Sequence, residues 1–252
     1  DGKPVGSKVR TSLRVSSGNH SSISTAGSLS DVFSIESGTG TAWMIAEPDD
    51  YAPALVGPFR AEGGKTIEDI TIVLDPGFPY KIRMVDEQGG PIAGALVNGG
   101  LLVQGGWSSS RAAWTTDADG VATIPHAASR PYGFSITAPG FQKSEASFRA
   151  TPQPGGATTF TLQHAKATRG IVVDRAGRPV ADGAIRIMAE YRIDQGSSSY
   201  GTFGGGVLGQ FDGDGRFQLD TLRDGAIYLL YVESKDKERG FIRNVRPGRT
   251  DL

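Results

Sequence analysis

Three histidines, His20, His126 and His164, are the imidazoles of this 252-residue chain, and imidazole is the commonest metal ligand and proton carrier among side chains. A metal centre needs several such groups converged, with carboxylates or thiolates beside them. These three fall in non-equivalent parts of the sequence, and cysteine is absent. They read as surface or loop histidines. The second candidate chemistry is oxygen ligation. Asp117-x-Asp119-Gly120 and Asp212-x-Asp214-Gly215 resemble fragments of a calcium loop, which uses alternating carboxylates around a glycine turn. A full loop continues to a bidentate acid, whereas here strand-like residues follow at once. A type I turn or bulge accounts for the same residues. There is no Gly-x-Ser-x-Gly elbow, no phosphate loop with its Lys-Ser/Thr pair, and no carboxylate pair whose spacing suggests acid and base work. No catalytic residue and no cofactor is expected.

The remaining candidates are aromatic. Three stretches rich in serine and glycine, 16–30, 99–110 and 195–209, follow an apolar alternating segment each time. Trp107 and Trp114 lie in or just after the second, and Tyr200 and Phe203 lie in the third. Polar loops bearing exposed rings suit sugar or peptide surfaces. The alternative is that these rings fold back over their own domain.

The elements that would position these residues are set by a repeated stretch. Asp174-Arg-Ala-Gly177-Arg-Pro179-Val180 returns as Asp86-Glu-Gln-Gly89-Gly-Pro91-Ile92 and, shortened, as Asp1-Gly2-Lys3-Pro4-Val5. The prolines are spaced by 91 − 4 = 87 and 179 − 91 = 88 residues. Glycine supplies a permissive backbone and proline a fixed φ, and the aspartate can bond to amides ahead of it, so each copy is a tight turn between strands. A period of this size predicts one folding unit used three times, over 1–77, 78–165 and 166–252, with short linkers near 76–79 and 164–168.

Alternation fills in the strands. Val9, Thr11, Leu13 and Val15 share a face, as do Tyr80, Ile82 and Met84, and as do Ile185, Ile187, Ala189 and Tyr191. Strands are also expected at 31–35, 42–46, 95–97, 121–124, 158–162 and 228–232, and a closing strand at 67–74 with Ile70, Ile72 and Leu74 facing one way. Gly63, Gly155 and Gly248 each open a closing segment, and Gly240-Phe241 matches Gly140-Phe141. Glycine is 36 of 252 residues, about twice its usual share, which favours turns and an all-β fold over helices. The formal charge of −1 gives no global field for nucleic acid, and no apolar run approaches membrane-spanning length. Because the first repeat starts at its turn and the third stops at Leu252 in its closing segment, the chain reads as covalently part of a longer one.

The pattern Val-x-Asp-x-x-Gly-x-Pro-Val, then Thr-Asp-x-x-Gly, then an aromatic strand, then Ala-Pro-Gly-Phe resembles the carboxypeptidase regulatory-like repeats of the transthyretin-like and CnaB-like β-sandwiches. The second repeat carries it best, through Val85-Asp86, Gly89, Pro91, Thr116-Asp117, Gly120 and Ala138-Pro-Gly-Phe141. The resemblance implies three tandem Greek-key β-sandwich domains in an exported bacterial protein, extracellular, on the cell surface or periplasmic. It implies a non-catalytic structural, spacer or interaction role, with a polysaccharide, the cell wall or a protein surface as partner. A carbohydrate- or peptide-binding module and an accessory part of a peptidase or other enzyme are the alternatives. Some relatives of this kind carry an internal Lys-to-Asn bond promoted by an acid. Met84-Val85 and Val172-Val173 stand where the lysine would, with Glu47 and Glu233 near the acid's place, so no such bond is expected.

Overall fold

The computed structural model describes residues 9–17, 20–26, 40–62, 67–68, 70–103, 106–107, 113–192, 197–200, 207–236 and 239–252. Every regular element among them is a strand. In chain order these are β1 (Val9–Ser17), β2 (His20–Ala26), β3 (Gly40–Pro48), β4 (Ala54–Ala61), β5 (Phe78–Val85), β6 (Leu96–Val103), β7 (Gly106–Trp107), β8 (Ala113–Thr115), β9 (Val121–Ala127) and β10 (Tyr132–Thr137). There follow β11 (Ser144–Ala150), β12 (Ala157–Thr161), β13 (Thr168–Ile171), β14 (Gly183–Arg192), β15 (Ser197–Tyr200), β16 (Val207–Phe211), β17 (Arg216–Leu219), β18 (Ala226–Ser234) and β19 (Arg239–Val245). The chain is all-β, of the β-sandwich type. Its contacts divide it into two compact units, one of residues 1–83, 97–135 and 146–160, the other of 84–96, 136–145 and 161–252.

In the first unit, β2, β1, β3 and β4 form a sheet in that order. Leu13 pairs with Met44 and Thr11 with Ala46 across β1 and β3. Among the described side chains of β1, Val9, Thr11 and Leu13 are buried, as the alternation expects. Strand β3 is covered on both faces, since neighbours Ala42 and Trp43 and neighbours Ile45 and Ala46 are all buried, which is why it reads as a continuous apolar run. Strand β5 joins β12 and β9 in a three-stranded sheet, with Tyr80 opposite Ile124 and Ile82 opposite Ala122. The companion sheet runs β11-β10-β6-β7, with β8 added on β6. Phe134 of β10 is fully buried and its ring lies 5.8 Å from that of Phe160 in β12.

The second unit contains a seven-stranded sheet of order β13-β17-β16-β14-β18-β19, with β15 added on β14. Strand β18 sits between β14 and β19, so its run from Tyr228 to Val232 is covered on both sides of the ladder. Ile185, Phe211, Leu219, Leu222, Leu230 and Val245 make up its core.

Several expectations need correction. Residues 20–26 are not loop but strand β2, paired in register with β1, because the hydroxyl residues that suggest a loop are also tolerated on an outer strand. Strand β6 runs on to Val103, with Gly99 and Leu101 buried; the glycines admit the Phe134 ring, which would stand 2.7 Å from a Cβ on Gly99. The stretch 195–209 likewise contains β15 and the start of β16. Residues 67–74 carry no strand among those described. Their burial alternates as expected, with Ile70, Ile72 and Leu74 half-buried and Val73 exposed, but it is β4 that pairs with β3. The segment 246–252 also forms no strand, although Leu252 accepts a backbone bond from Ile171. Gly240 and Phe241 lie inside β19, whereas Gly140 sits in a turn at φ 78°. Finally, the pairing of β14 with β18 shifts between Ile187 and Ala189. That bulge reverses the faces: Ile185 is buried, but Glu190 is then buried and Tyr191 exposed. The expected strand at 31–35 lies outside the described residues.

Candidate functional site

The aspartates of the four Asp-x-x-Gly turns are occupied by the backbone. In each turn the aspartate amide donates to the carbonyl four residues on, and the glycine amide donates back to the aspartate carbonyl; this holds for Asp86, Asp117, Asp174 and Asp212. The carboxylate Oδ1 accepts two further amides: Asp119 and Val121 on Asp117 at 3.0 and 2.9 Å, Asp214 and Arg216 on Asp212 at 3.0 and 2.8 Å. Gly89, Gly120, Gly177 and Gly215 take φ of 84, 72, 78 and 72°. This is a three-residue hairpin loop, a type I turn closed by a left-handed glycine. The two motif classes of the sequence are therefore one structure. Asp119 and Asp214 are exposed, and among the described residues no three His, Asp or Glu side chains gather as metal ligands. The Arg178 guanidinium adds a 2.8 Å contact to Asp174, and bonds from Arg178 hold that carboxyl below the usual carboxylate range.

His164 and His126 take separate partners. His164 Nδ1 lies 3.0 Å from Glu87 Oε2, and the ring lies 4.5 Å from Phe141. His126 Nδ1 stands 2.9 Å from the Pro76 carbonyl. A carbonyl can only accept, so Nδ1 carries the proton and Nε2 is left as an acceptor on the neutral ring. His20 lies in β2, with its backbone opposite Ser17. Met84, at one place considered for a bonding lysine, is fully buried, and Val172, at the other, is half-buried. Glu233 pairs with Arg239 at 3.2 Å.

Of the four aromatics, Trp107 is held in β7 with its backbone opposite Leu102, Tyr200 in β15 opposite Ala189, and Phe203 lies outside the described residues. Trp114, whose side chain is among the described ones, lines a cavity. In the first unit, a cavity of about 200 Å³ is bounded by Glu47, Asp49, Tyr51, Trp114, His126 and Tyr132, with Gly99 and Leu101 below. Each side is fixed by the fold. Glu47 is the penultimate residue of β3, and Asp49 and Tyr51 follow on the way to β4. Trp114 is the centre of β8 and half-buried; its Cζ3 would lie 3.1 Å from a Cβ on Gly99, so the missing side chain is what seats the indole. Tyr132 is 2% exposed; its ring stacks on Phe134 at 5.9 Å, and its hydroxyl accepts the Ala128 amide at 3.2 Å. Burial, reinforced by the Glu47 charge, pushes the Tyr132 phenol up to about 12. His126 comes from β9.

Asp49, Tyr51 and Tyr132 were not singled out by sequence pattern. The run Glu47-Pro-Asp-Asp-Tyr51, acids and a ring between two apolar strands, was the one local signal available. The site is assembled from segments some fifty to eighty residues apart, and no motif spans such a gap.

No protein-family model and no curated protein matches the chain. Among solved structures, it is similar to a streptococcal ancillary pilin at 14% identity, covering 99% of this chain and 92% of that one, with a TM-score of 0.33. It is similar to the Bacillus anthracis TIE protein at 14% identity, over 98% of this chain and 51% of that one, TM-score 0.31. It is similar to a minor pilin of Streptococcus agalactiae at 10% identity, over 70% and 94%, TM-score 0.32. At such scores the functional reading rests on the chain's own residues.

Proposed function

We propose that the chain is a non-catalytic structural module, a spacer within a longer exported surface protein, made of tandem β-sandwich repeats divided at 1–77, 78–165 and 166–252. The observation that carries it is a clamp in the second unit between residues 142–143 and 221–224, which fall in consecutive repeats. The Lys143 amide donates to the Thr221 carbonyl at 2.9 Å. The Asp224 amide donates to Gln142 Oε1 at 3.1 Å, and Arg223 Nη2 donates to the Lys143 carbonyl at 3.0 Å. Lys166, in the connecting segment, closes on Asp224 at 2.8 Å. One backbone bond and two bonds through side chains thus tie residues of consecutive repeats together inside the second unit, beyond the modest contacts that a short linker alone would bring.

Spin labels test this. The chain has no cysteine, so Ala93→Cys and Asp236→Cys, both exposed, can be labelled alone. A single narrow distance distribution is expected, broadened when Arg223→Ala and Gln142→Ala are added. A broad distribution in the parent protein overturns the spacer reading. A second reading, a binding module, is favoured by one observation: the cavity beneath Trp114, where aromatic and carboxylate side chains meet.

A further inference from the structure

We infer that strand β19 accepts one further strand, an extended peptide that carries acidic, apolar and acidic side chains at alternate positions. Such a strand lies beyond the spacer reading and involves neither the clamp nor the cavity under Trp114. Among the described strands, β19 ends the seven-stranded sheet and pairs with β18 alone. The opposite end of the same sheet is closed. There the Arg169 and Ile171 amides donate to the Arg249 and Leu252 carbonyls at 2.8 and 2.9 Å and so cover β13. Among the described residues no backbone bond supplies such cover at β19. An open edge presents a row of backbone donors and acceptors to the strand that arrives.

The side chains define which strand fits. Arg239, Phe241 and Arg243 are exposed, Phe241 by 52%, while Ile242 and Val245 pack on the core. The three alternate positions therefore share the outer face. Towards β18, Arg239 already pairs with Glu233 directly opposite, at 3.2 Å. Carboxylates opposite Arg239 and Arg243 on an added strand would repeat that pairing, with an apolar residue against Phe241. Arginines alone would only guard the edge. The exposed ring between them gives an incoming strand apolar area to bury. The order acid, apolar, acid is the same read from either end, so it suits a strand of either direction. A second copy of β19 does not fit. Paired antiparallel about Phe241, it would set Arg239 against Arg243 at both ends, and like charges directly opposite repel.

Nuclear magnetic resonance of the whole chain, titrated with acetyl-Thr-Glu-Thr-Val-Thr-Glu-Thr-amide, tests the proposal. Saturable binding is expected, weakening as salt rises, with slowed amide exchange along β19. A peptide of the same composition with its two Glu adjacent should bind several-fold more weakly. Arg243→Glu should weaken binding by about tenfold, through one attractive cross-strand pair lost and a repulsive one gained. Replacing one Glu of the peptide by Lys should then restore it, a rescue that an unfolded variant would not show. Binding that leaves amide exchange in β19 unchanged overturns strand addition. Equal binding of the Glu-adjacent peptide, or of a peptide with Lys in place of both Glu, overturns the acidic pattern. Silence up to millimolar peptide overturns the inference outright, while the spin-label distances judge the spacer reading separately.

Discussion

The Arg223 guanidinium lies 3.7 Å from the Glu190 carboxylate, with side-chain exposures of 21 and 11%, and Glu190 faces inward only because β14 bulges two residues earlier. Removing the cation would leave a buried carboxylate short of its counter-charge, which costs far more than an exposed pair is worth. Arg223→Met is expected to destabilise the chain by about 3 kcal/mol in urea titration. Adding Glu190→Gln should recover much of that loss, and the double-mutant cycle isolates the coupling.

Gly177 and Gly215 occupy the same turn position at nearly the same φ, yet they meet different surroundings. A Cβ at Gly177 meets nothing within 4 Å, whereas one at Gly215 would lie 2.4 Å from the Val172 carbonyl oxygen. Gly177→Ala should therefore cost only the left-handed backbone penalty, about 1 kcal/mol. Gly215→Ala should cost at least about 2 kcal/mol more, because backbone must move. Equal losses in thermal melts would show that the backbone at Val172 yields freely.

Glu87 is held below the ordinary carboxylate range, first by its hydrogen bond with the His164 ring, then by the His164 amide. A carboxyl lowered in the folded state contributes stability above its unfolded pKa and loses it as pH falls through the folded value. Melting temperature should fall on acidification from about pH 5 downward, and Glu87→Gln should show a shallower fall over that range. Identical acid limbs would remove Glu87 from the account.

Tyr132 gives the opposite limb. Its phenol is raised to about 12 by burial, so the folded state keeps its proton after the unfolded chain has begun to lose it. The associated stability is present below the unfolded value, about 10, and disappears as pH rises towards the folded one. Tyr132→Phe should cost about 1 kcal/mol at neutral pH through the lost Ala128 bond and should flatten alkaline melting between about pH 10 and 12. Absorbance titration at alkaline pH should show one late phenol fewer in the variant than in the parent.

Turns were the most legible part of the sequence. Asp-x-x-Gly fixes its own geometry through bonds within five residues, so Asp86, Asp117, Asp174 and Asp212 announce themselves without tertiary context. Strands β5 and β9 were legible because one face of each is buried and period two survives. Strand β4 was hidden by Gly57-Pro58, a pair that reads as a turn and here sits on an outer strand where a missing amide is tolerated. The faces of β14 beyond Ile187 were misread because a bulge adds a residue without leaving any mark in composition. Trp114 was legible as a ring that could matter. Its neighbours Asp49, Tyr51 and Tyr132 were not, since what assembles them is the approach of two distant segments.

The four hairpin tips have a consequence for resistance to proteases. A protease binds its substrate as an extended strand and must straighten several residues before it cuts. At the tip that holds Arg175 and Arg178, both exposed, straightening would break the amide bonds to Asp174 and force Gly177 out of its left-handed state. Trypsin-like enzymes would thus find basic residues in plain view on a backbone that does not fit their cleft, and the same curl guards the tip before Arg216. Resistance to digestion would then be written into the shortest motif of the chain.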